Sequence, residues 1–140
     1  MKINKPLYYI LNIVWGFPLT LIGFVGALAL LISGRRPQRN GGGWVFRVGH
    51  DWGGISFGLC HFVDMESTER ILAHEYGHSL QNMIWGPLMV FVIAIPSVVR
   101  YWIRQIRRKQ DKPNSPYDAI WFEGQATRWG LQTIGQWKKT

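Results

Sequence analysis

A long stretch near the amino terminus carries no charged side chain, and it restricts the fold more than any other feature of the sequence. It covers residues 7–33, directly after Lys2 and Lys5. A helix needs about 20 mainly apolar residues to cross a bilayer, so the stretch is long enough for one tilted span. Pro18 is expected to bend this helix, which membrane helices tolerate. The sequence therefore predicts a transmembrane anchor over residues 1–34.

A cleaved signal peptide is the alternative for this stretch. Lys2 and Lys5 precede the apolar run, and "ALA" at residues 27–29 has the small residues of a cleavage site. The run is longer than the core of a usual signal peptide, and no polar stretch precedes the position of the cut. These features favour a retained anchor.

Composition supports a membrane environment for the rest of the chain. The 140 residues allow a single domain, predicted over residues 35–140, and carry a net charge of +8. Proteins this basic bind nucleic acid or anionic membranes. The 8 Trp and 5 Tyr favour the membrane, because both residue types concentrate at bilayer interfaces. We therefore expect the lipid bilayer as a partner and no nucleic acid. The single cysteine, Cys60, excludes an intrachain disulfide.

Two strand-like runs follow a basic connector that is rich in Gly and Pro. The connector covers residues 34–43, and the runs cover residues 44–48 and 55–63. Gly and Asp residues separate the two runs, and this punctuation predicts a short β-hairpin.

Three further segments complete a predicted α+β membrane protein. A helix containing "HEYGH" begins after Ser67 or Thr68, either of which can cap it. Residues 88–103 are apolar and interrupted by proline, which favours a bent or re-entrant hairpin. Residues 117–137 form a final amphipathic helix rich in Trp.

The "HEYGH" sequence carries the strongest indication of function. His74 and His78 are four residues apart, so both imidazoles lie on one face of a helix and can bind one ion. Glu75 lies beside them, placed to hydrogen-bond a metal-bound water rather than the metal. Zinc hydrolases use this arrangement: the ion acidifies the water and the carboxylate removes its proton. The motif predicts a Zn²⁺ site; the alternative is two surface histidines beside a glutamate.

A catalytic zinc ion usually has three protein ligands and a water, so this motif lacks one ligand. The glycine and third histidine of the metzincin pattern are absent after the motif. The remaining candidates are His50, His61, Asp118 and Glu123. Glu123 stands out because it lies on a predicted helix, and the small residues Ala126 and Gly130 would let that helix pack closely against the "HEYGH" helix.

Three parts of the sequence together resemble the membrane-embedded gluzincins, which include HtpX-type proteases, CAAX prenyl-proteases and BlaR-type antibiotic-sensor proteases. These parts are "AHEYGH", the apolar segment after it, and the "E-x-x-A" formed by Glu123 and Ala126. The resemblance implies that His74, His78 and Glu123 bind zinc. It also implies that Glu75 is the general base for peptide hydrolysis.

One position departs from the family pattern. The family usually has an aspartate directly after "E-x-x-A", where it orients a zinc-binding histidine. This chain has Thr127 there, which can hydrogen-bond but carries no charge. The resemblance covers residues 71–125 and a little beyond. The chain is much shorter than most of the family, so the expected domain is minigluzincin-like.

The distribution of basic residues predicts a topology. Of the 16 Lys and Arg, only Lys2 and Lys5 precede the predicted anchor. If residues 88–103 re-enter the membrane with Pro96 at the apex, all the others lie on one side. The positive-inside rule then predicts an inner-membrane protein with its site in the cytoplasm and its amino terminus outside. A full crossing would separate Glu123 from both histidines unless the site lies within the membrane.

Several other side chains have competing interpretations. Arg100, near an apolar segment, is interpreted as a snorkelling residue. His50 is interpreted as a turn residue, with a place in the substrate cleft as the alternative. Three side chains could stabilise an oxyanion, and the sequence does not choose among them: Tyr76, Tyr117 and Arg128.

Two functions compete at this point. The leading one is an integral-membrane zinc metallopeptidase that hydrolyses peptide bonds of membrane-associated polypeptides. The alternative is a non-catalytic membrane protein with a structural zinc site, acting as an interaction or immunity-type partner, in which His50 or His61 closes the fourth position. A third function, binding of nucleic acid or a membrane surface through basic charge, leaves "HEYGH" without a role. The sequence leaves the substrate and the oligomeric state open.

Overall fold

The computed structural model describes residues 1–138 as a mixed α+β fold, which confirms the predicted class. The helices of this region are α1 (Lys5–Ile10), α2 (Phe17–Ile32), α3 (Glu69–Trp85), α4 (Ile95–Lys109) and α5 (Trp121–Thr133). The strands are β1 (Gln38–Asn40), β2 (Gly43–Arg47), β3 (Gly54–Phe57) and β4 (Cys60–Val63). They form one sheet in the order β1-β2-β4-β3.

The amino-terminal apolar segment is bent instead of forming one continuous helix. α1 continues into a π-helical turn, Leu11–Trp15, and the chain then turns by 92° into α2. The break lies at Gly16, because Pro18 occupies the first turn of α2, where proline is tolerated. The predicted bend is therefore confirmed, and its assignment to Pro18 is wrong.

A buried polar cluster holds this bend against α3. The hydroxyl of Thr20 donates to the backbone carbonyl of Asn12 at 2.7 Å, and the amide of Asn82 donates to the side-chain oxygen of Asn12 at 2.9 Å. All three side chains are buried. Because buried polar groups are stable only when they are hydrogen-bonded, this cluster ties the amino-terminal segment to the helix that carries "HEYGH".

A hydrogen bond also joins the segment before α1 to the segment that follows α5. The backbone N–H of Ile3 donates to the side-chain oxygen of Gln136 at 2.9 Å. These two residues therefore lie on the same side of any membrane. The predicted topology, with the amino terminus outside and the rest of the domain in the cytoplasm, is incompatible with this contact.

The predicted two-stranded hairpin is wrong. Residues 55–63 do not form one strand, because the chain reverses at Gly58, whose φ of +61° favours glycine. The reversal divides the run into β3 and β4, which pair antiparallel. β4 pairs in parallel with β2, so residues 44–48 and 55–63 do not form a simple hairpin. β3 is left at the edge of the sheet.

α3 is the central helix, and residues 72–82 are buried along it. Its first residue, Glu69, agrees with the predicted start after Ser67 or Thr68. The predicted cap is wrong, because Thr68 occupies the N-cap position without a side-chain hydrogen bond. The hydroxyl of Ser67 instead donates to Asp64 Oδ1 at 2.7 Å.

α3 and α5 pack with their backbones in close contact. A Cβ atom added at Gly77 would lie 1.9 Å from the carbonyl oxygen of Ala126. A Cβ atom added at Gly130 would lie 1.7 Å from the carbonyl oxygen of Ala73. The close approach that the sequence predicted from Ala126 and Gly130 is confirmed.

The chain turns sharply after α3, earlier than predicted. The direction changes by 117° between residues 69–88 and 90–109. The turn contains Gly86, which has a φ of +53° and lies directly against the ring of Trp15. Pro96, the predicted apex, lies instead in the first turn of α4. The bent apolar segment is therefore present, but its bend lies at the start of the segment instead of at Pro96.

Helix length and hydropathy limit which segments qualify as membrane spans. Within residues 1–138, no single helix is both long enough and apolar enough to cross a bilayer. Two bent pairs meet both requirements when their halves are combined: Lys5–Trp15 with Phe17–Ile32, and Glu69–Leu88 with Val90–Lys109. The single continuous span predicted over residues 7–33 is not observed.

The predicted carboxy-terminal helix is divided. A 3₁₀ turn, Tyr117–Ala119, precedes α5, and extended backbone at Ile120 separates the two. A second 3₁₀ segment, Ile134–Trp137, follows α5. This division allows Asp118 to fold back toward the body of α5.

Three arginines of α4 bind the loop that leads into this 3₁₀ turn. Arg100 donates to the carbonyl oxygens of Pro116 and Tyr117, and Arg104 and Arg107 donate to carbonyls earlier in the same loop. The snorkelling interpretation of Arg100 is wrong, because protein carbonyls occupy its guanidinium. The arginines hold Tyr117 at the edge of the site.

Candidate metal centre

Three side chains from α3 and α5 meet in a compact triangle. The Nε2 atoms of His74 and His78 lie 3.1 Å apart. Glu123 Oε2 lies 3.1 Å from His74 Nε2 and 3.2 Å from His78 Nε2. A tetrahedral zinc ion with bonds of about 2.0–2.1 Å holds its ligand atoms about 3.3 Å apart. The geometry of the triangle is therefore close to that of a three-ligand zinc site, and this group can hold a metal ion.

The chemistry of the triangle also fits a cation. All three residues are buried, with Glu123 fully inaccessible. Three lone pairs at this separation repel one another unless a cation or a shared proton lies between them. Two imidazoles and a carboxylate form a ligand set typical of catalytic zinc.

The remaining ring nitrogen of His78 is held by Gln81. His78 Nδ1 lies 2.7 Å from Gln81 Oε1. The amide nitrogen of Gln81 donates to the carbonyl of Phe122 at 2.8 Å and to Gln125 Oε1 at 3.0 Å, so its oxygen is the acceptor for His78. Nδ1 of His78 therefore carries the proton, and Nε2 presents its lone pair to the triangle.

His74 is held by a chain of two side chains. Its Nδ1 lies 2.8 Å from the hydroxyl oxygen of Thr127, and that hydroxyl donates to Asp118 Oδ1 at 2.9 Å. Arg70 donates to the other carboxylate oxygen of Asp118 at 2.7 Å. Thr127 does hydrogen-bond the histidine, as its position predicted, and Asp118 supplies a negative charge behind it.

Glu123 is oriented by a hydroxyl from α4. Ser97 donates to Glu123 Oε1, which leaves Oε2 to face the two histidines. Burial raises the pKa of Glu123, but the hydroxyl of Ser97 and, whenever an imidazole proton lies on Nε2, hydrogen bonds from His74 and His78 lower that pKa well below its ordinary value. An ionised carboxylate is the form in which a glutamate binds a metal ion.

Glu75 adjoins the triangle without belonging to it. Its side chain is buried, and Oε2 makes no hydrogen bond to any of the described residues. The carboxylate lies against the backbone of β3, where a Cβ added at Gly54 would lie 2.6 Å from Glu75 Oε1. Glycine at this position leaves room for the carboxylate between α3 and the sheet. An unpaired buried carboxylate oxygen beside a metal centre can accept a proton.

Two cavities meet beside Glu75. One has a volume of about 310 Å³ and a mainly apolar wall: Phe57, Met89, Ile93, Val98 and Trp102. The other has a volume of about 320 Å³ and a wall that also contains charged and polar side chains: Asp51, Arg70, Gln105, Arg108 and Asp118. Both are lined by Trp52, Gly54, Glu75, Tyr101 and Tyr117. β3 is an edge strand that borders the apolar cavity, so an extended chain could pass along β3 in front of Glu75.

Of the three candidates for an oxyanion-stabilising group, Tyr117 lies at the site. It lines both cavities, and its ring packs edge-on against the ring of His74. Tyr76 is buried in an aromatic cluster, where its hydroxyl accepts a hydrogen bond from Trp137. Arg128 is exposed on α5.

His50 and His61 contribute no atom to the triangle. His50 lies in an exposed turn and pairs with Glu66, in agreement with its interpretation as a turn residue. His61 is fully buried in β4, with Nδ1 2.8 Å from the hydroxyl of Ser56. Burial, with a smaller effect of nearby His78, lowers the pKa of His61 to about 3, so its ring is neutral. Neither histidine closes a fourth position in this arrangement.

Three of the side chains that hold the ligands belong to no sequence motif: Gln81, Ser97 and Asp118. Gln81 follows His78 by three residues, and this helical spacing is a local indication that the two interact. Ser97 and Asp118 approach their partners only through tertiary structure. Asp118 was one of the four possible third ligands, and the structure assigns it to Thr127 instead.

Comparisons with known proteins give one distant similarity. No protein-family model matches the chain, and no solved structure matches it. A curated protein described as a protease HtpX homologue, from Pelodictyon phaeoclathratiforme (strain DSM 5477 / BU-1), is 32% identical over 75 residues. The match covers 49% of this chain and 26% of that protein, so the chain spans about a quarter of the length of this relative. Over part of its length the chain is therefore similar to a protein described as a protease, and its triangle of His74, His78 and Glu123 can hold a metal ion.

Proposed function

We propose that this protein is a membrane-associated zinc metallopeptidase, with His74, His78 and Glu123 as zinc ligands and Glu75 as the general base. The observation that carries the proposal is the triangle of ligand atoms at 3.1–3.2 Å, with the unpaired carboxylate of Glu75 beside it. A metal-binding protein without catalysis would not need a buried, unpaired carboxylate facing a cavity.

The proposed reaction is hydrolysis of a peptide bond. A zinc ion in this centre would polarise the peptide carbonyl and lower the pKa of water. Glu75 takes a proton from the attacking water as the new carbon–oxygen bond forms. It then delivers this proton to the departing amine as the carbon–nitrogen bond breaks. In this proposal the hydroxyl of Tyr117, which lines both cavities, would donate to the carbonyl oxygen, where negative charge develops.

The proposed substrate is an extended polypeptide segment beside β3. As an edge strand, β3 would offer unpaired backbone groups to a substrate chain. An apolar cavity and a polar cavity lie on the two sides of Glu75. A polypeptide that changes from apolar to polar near a membrane surface could place its apolar part in the first cavity and its polar part in the second. This match supports a membrane-associated substrate.

Exposed apolar faces support membrane association. α2 and α4 each carry large apolar side chains on their outer faces: Ile22, Val25, Leu28 and Ile32 on α2, and Val99, Trp102, Ile103 and Ile106 on α4. Exposed apolar side chains that lie together on one face of a helix are typical of protein or membrane contacts. We propose that both faces contact the inner membrane, with the metal centre on the cytoplasmic side.

The first test measures bound zinc and proteolysis of the purified full chain. Glu75→Gln is expected to retain zinc and to lose proteolysis by at least about 10²-fold, because the variant keeps the ligands and removes the proton acceptor. Glu69→Gln, an exposed change in the first turn of the same helix, is the matched control and is expected to retain both.

The outcomes separate the two functions. Zinc binding without proteolysis in the wild-type protein would favour the structural-zinc alternative. Wild-type protein that binds no zinc would contradict both functions. Full proteolysis by Glu75→Gln would exclude Glu75 as the base.

A further inference from the structure

The hydrogen bonds that begin at His74 Nδ1 lead to the carboxylate of Asp118, although Thr127, the residue that contacts the histidine, is uncharged. We propose that Asp118 acts through Thr127 as the positioning group of the metal centre, fixing the tautomer of His74 and strengthening its bond to the metal. This inference rests on the proposed zinc site. Asp118, from a 3₁₀ turn, and Thr127, from α5, would together orient His74, as a single aspartate in direct contact would.

The direction of the hydrogen bonds supports this role. An ionised carboxylate only accepts, so the single hydroxyl proton of Thr127 must point to Asp118 Oδ1. The hydroxyl oxygen then has only lone pairs to offer His74, so Nδ1 of His74 must donate. Nε2 of His74 is left unprotonated and faces Glu123 and His78. A threonine without the carboxylate could adopt either direction and would leave the tautomer undetermined.

The hydrogen bonds that connect His74, Thr127 and Asp118 are largely shielded from water. Thr127 and His74 are both buried, and the side chain of Asp118 is two-thirds covered, with a side-chain exposure of 33%. Hydrogen bonds to a charged group gain strength where water is excluded, so the negative charge of Asp118 is transmitted to the imidazole. Greater basicity of the ring increases its affinity for a metal ion.

Arg70 binds the carboxylate of Asp118 on the side away from Thr127. It lies one helical turn before His74 on α3 and donates to Asp118 Oδ2. The side chain of Arg70 is 64% exposed, and exposed ion pairs contribute little to stability. The proposal therefore assigns the effect on the metal to the carboxylate of Asp118 and only a minor part to its ion pair.

The test measures zinc affinity by competition with a chromophoric chelator, in the full chain solubilised in detergent. Asp118→Asn keeps the shape of the side chain and removes its charge. The expected result is an affinity about 10- to 100-fold weaker, the usual effect of losing such a hydrogen-bonding partner. Arg70→Gln, which removes the ion pair and keeps the carboxylate, is expected to change the affinity by less than about fivefold.

A compensating substitution separates this role from simple packing. Thr127→Asp in the otherwise wild-type chain places a second carboxylate against Asp118 and is expected to weaken zinc binding. The same substitution combined with Asp118→Asn supplies one carboxylate directly to His74. This double variant is expected to bind zinc more tightly than either single variant. A merely structural role of Asp118 predicts that the two substitutions are additive.

Each result decides between the proposals. If the wild type binds zinc and Asp118→Asn binds it equally well, the role of Asp118 is overturned and the proposed function stands. If Arg70→Gln weakens binding as much as Asp118→Asn, and Thr127→Asp does not rescue the latter, Asp118 acts only as an anchor and the inference is wrong. If the wild type binds no zinc, the proposed function itself fails.

Discussion

Gln81 uses every hydrogen-bonding atom of its amide to hold the metal centre together. Its oxygen accepts from His78, and its nitrogen donates to the Phe122 carbonyl and to Gln125. The same side chain therefore orients a ligand on α3 and attaches the first turn of α5, which contains Glu123. Loss of this amide would disturb two of the three proposed ligands.

Gln81→Ala is accordingly expected to weaken zinc binding by about 10- to 100-fold, measured by chelator competition. The substitution frees the ring of His78 and leaves the buried Phe122 carbonyl without its donor. Gln132→Ala, an exposed change on α5, is the matched control and should bind zinc like the wild type. Equal affinities for the two variants would show that Gln81 does not hold the site.

At the scale of single residues, the sequence predicts what lies within one helix. His74, Glu75 and His78 are recognisable because the spacing of an α-helix alone places them together. Glu123 required a family resemblance, since it lies 45 residues after His78. Ser97 and Asp118 could not be found in this way, because nothing local in the sequence relates them to the ligands that they hold.

At the scale of elements, the separation between α3 and α5 sets the distance between the histidines and Glu123. The two helices touch through backbone at Gly77 and Gly130. A gap of even one methyl group would move Glu123 Oε2 out of reach of an ion held by both histidines. The small residues on these faces are therefore part of the metal centre.

Gly130→Ala is expected to destabilise the protein by at least about 1–3 kcal/mol and to abolish zinc binding, because its Cβ would overlap the Ala73 carbonyl. Thermal unfolding and chelator competition measure the two effects. Gly135→Ala is the matched control, since a Cβ at that position meets no atom within 4 Å. A Gly130→Ala variant with wild-type stability and zinc affinity would contradict this packing.

The sequence located helices better than it located strand pairing and bends. The start of α3 was predictable because helical hydrogen bonds are local, although the side-chain cap expected there does not form. The parallel pairing of β2 with β4 is not local, and the turn at Gly58 is hidden inside an apolar run. The two sharp bends lie close to Gly16 and Gly86, whereas Pro18 and Pro96, the expected positions, lie in the first turns of helices, where proline fits.

At the scale of the whole molecule, contacts within the protein restrict how it sits in a membrane. α2 packs along the sheet through Gly23 and Gly26, so the sheet lies beside α2 instead of beyond its end. Ile3 and Gln136 are in contact. Two bent segments are compatible with these contacts, whereas a straight helix over residues 7–33 is not. The division into an anchor, residues 1–34, and a domain, residues 35–140, stays a prediction.

Cysteine labelling from each side of the membrane tests this arrangement. In a Cys60→Ala background, single cysteines in place of Lys2, Arg36 and Lys112 are all expected to react with an impermeant reagent from the cytoplasmic side. These three positions are exposed. Protection of position 2 with labelling of the others would restore the topology first predicted from charge. Labelling of positions 36 and 112 from opposite sides would rule out the re-entrant arrangement.

The position of Glu123 on a different helix from the two histidines also has a consequence for folding. In the proposed zinc-bound form, the ion is a crosslink that closes a loop of 45 residues between His78 and Glu123. Closing a loop of that length restricts the unfolded chain, much as a disulfide does. The chain has one cysteine and cannot form an internal disulfide. The metal would therefore be a reversible crosslink between α3 and α5. A chelator that removes it is expected to weaken the packing of α5 before α3 unfolds.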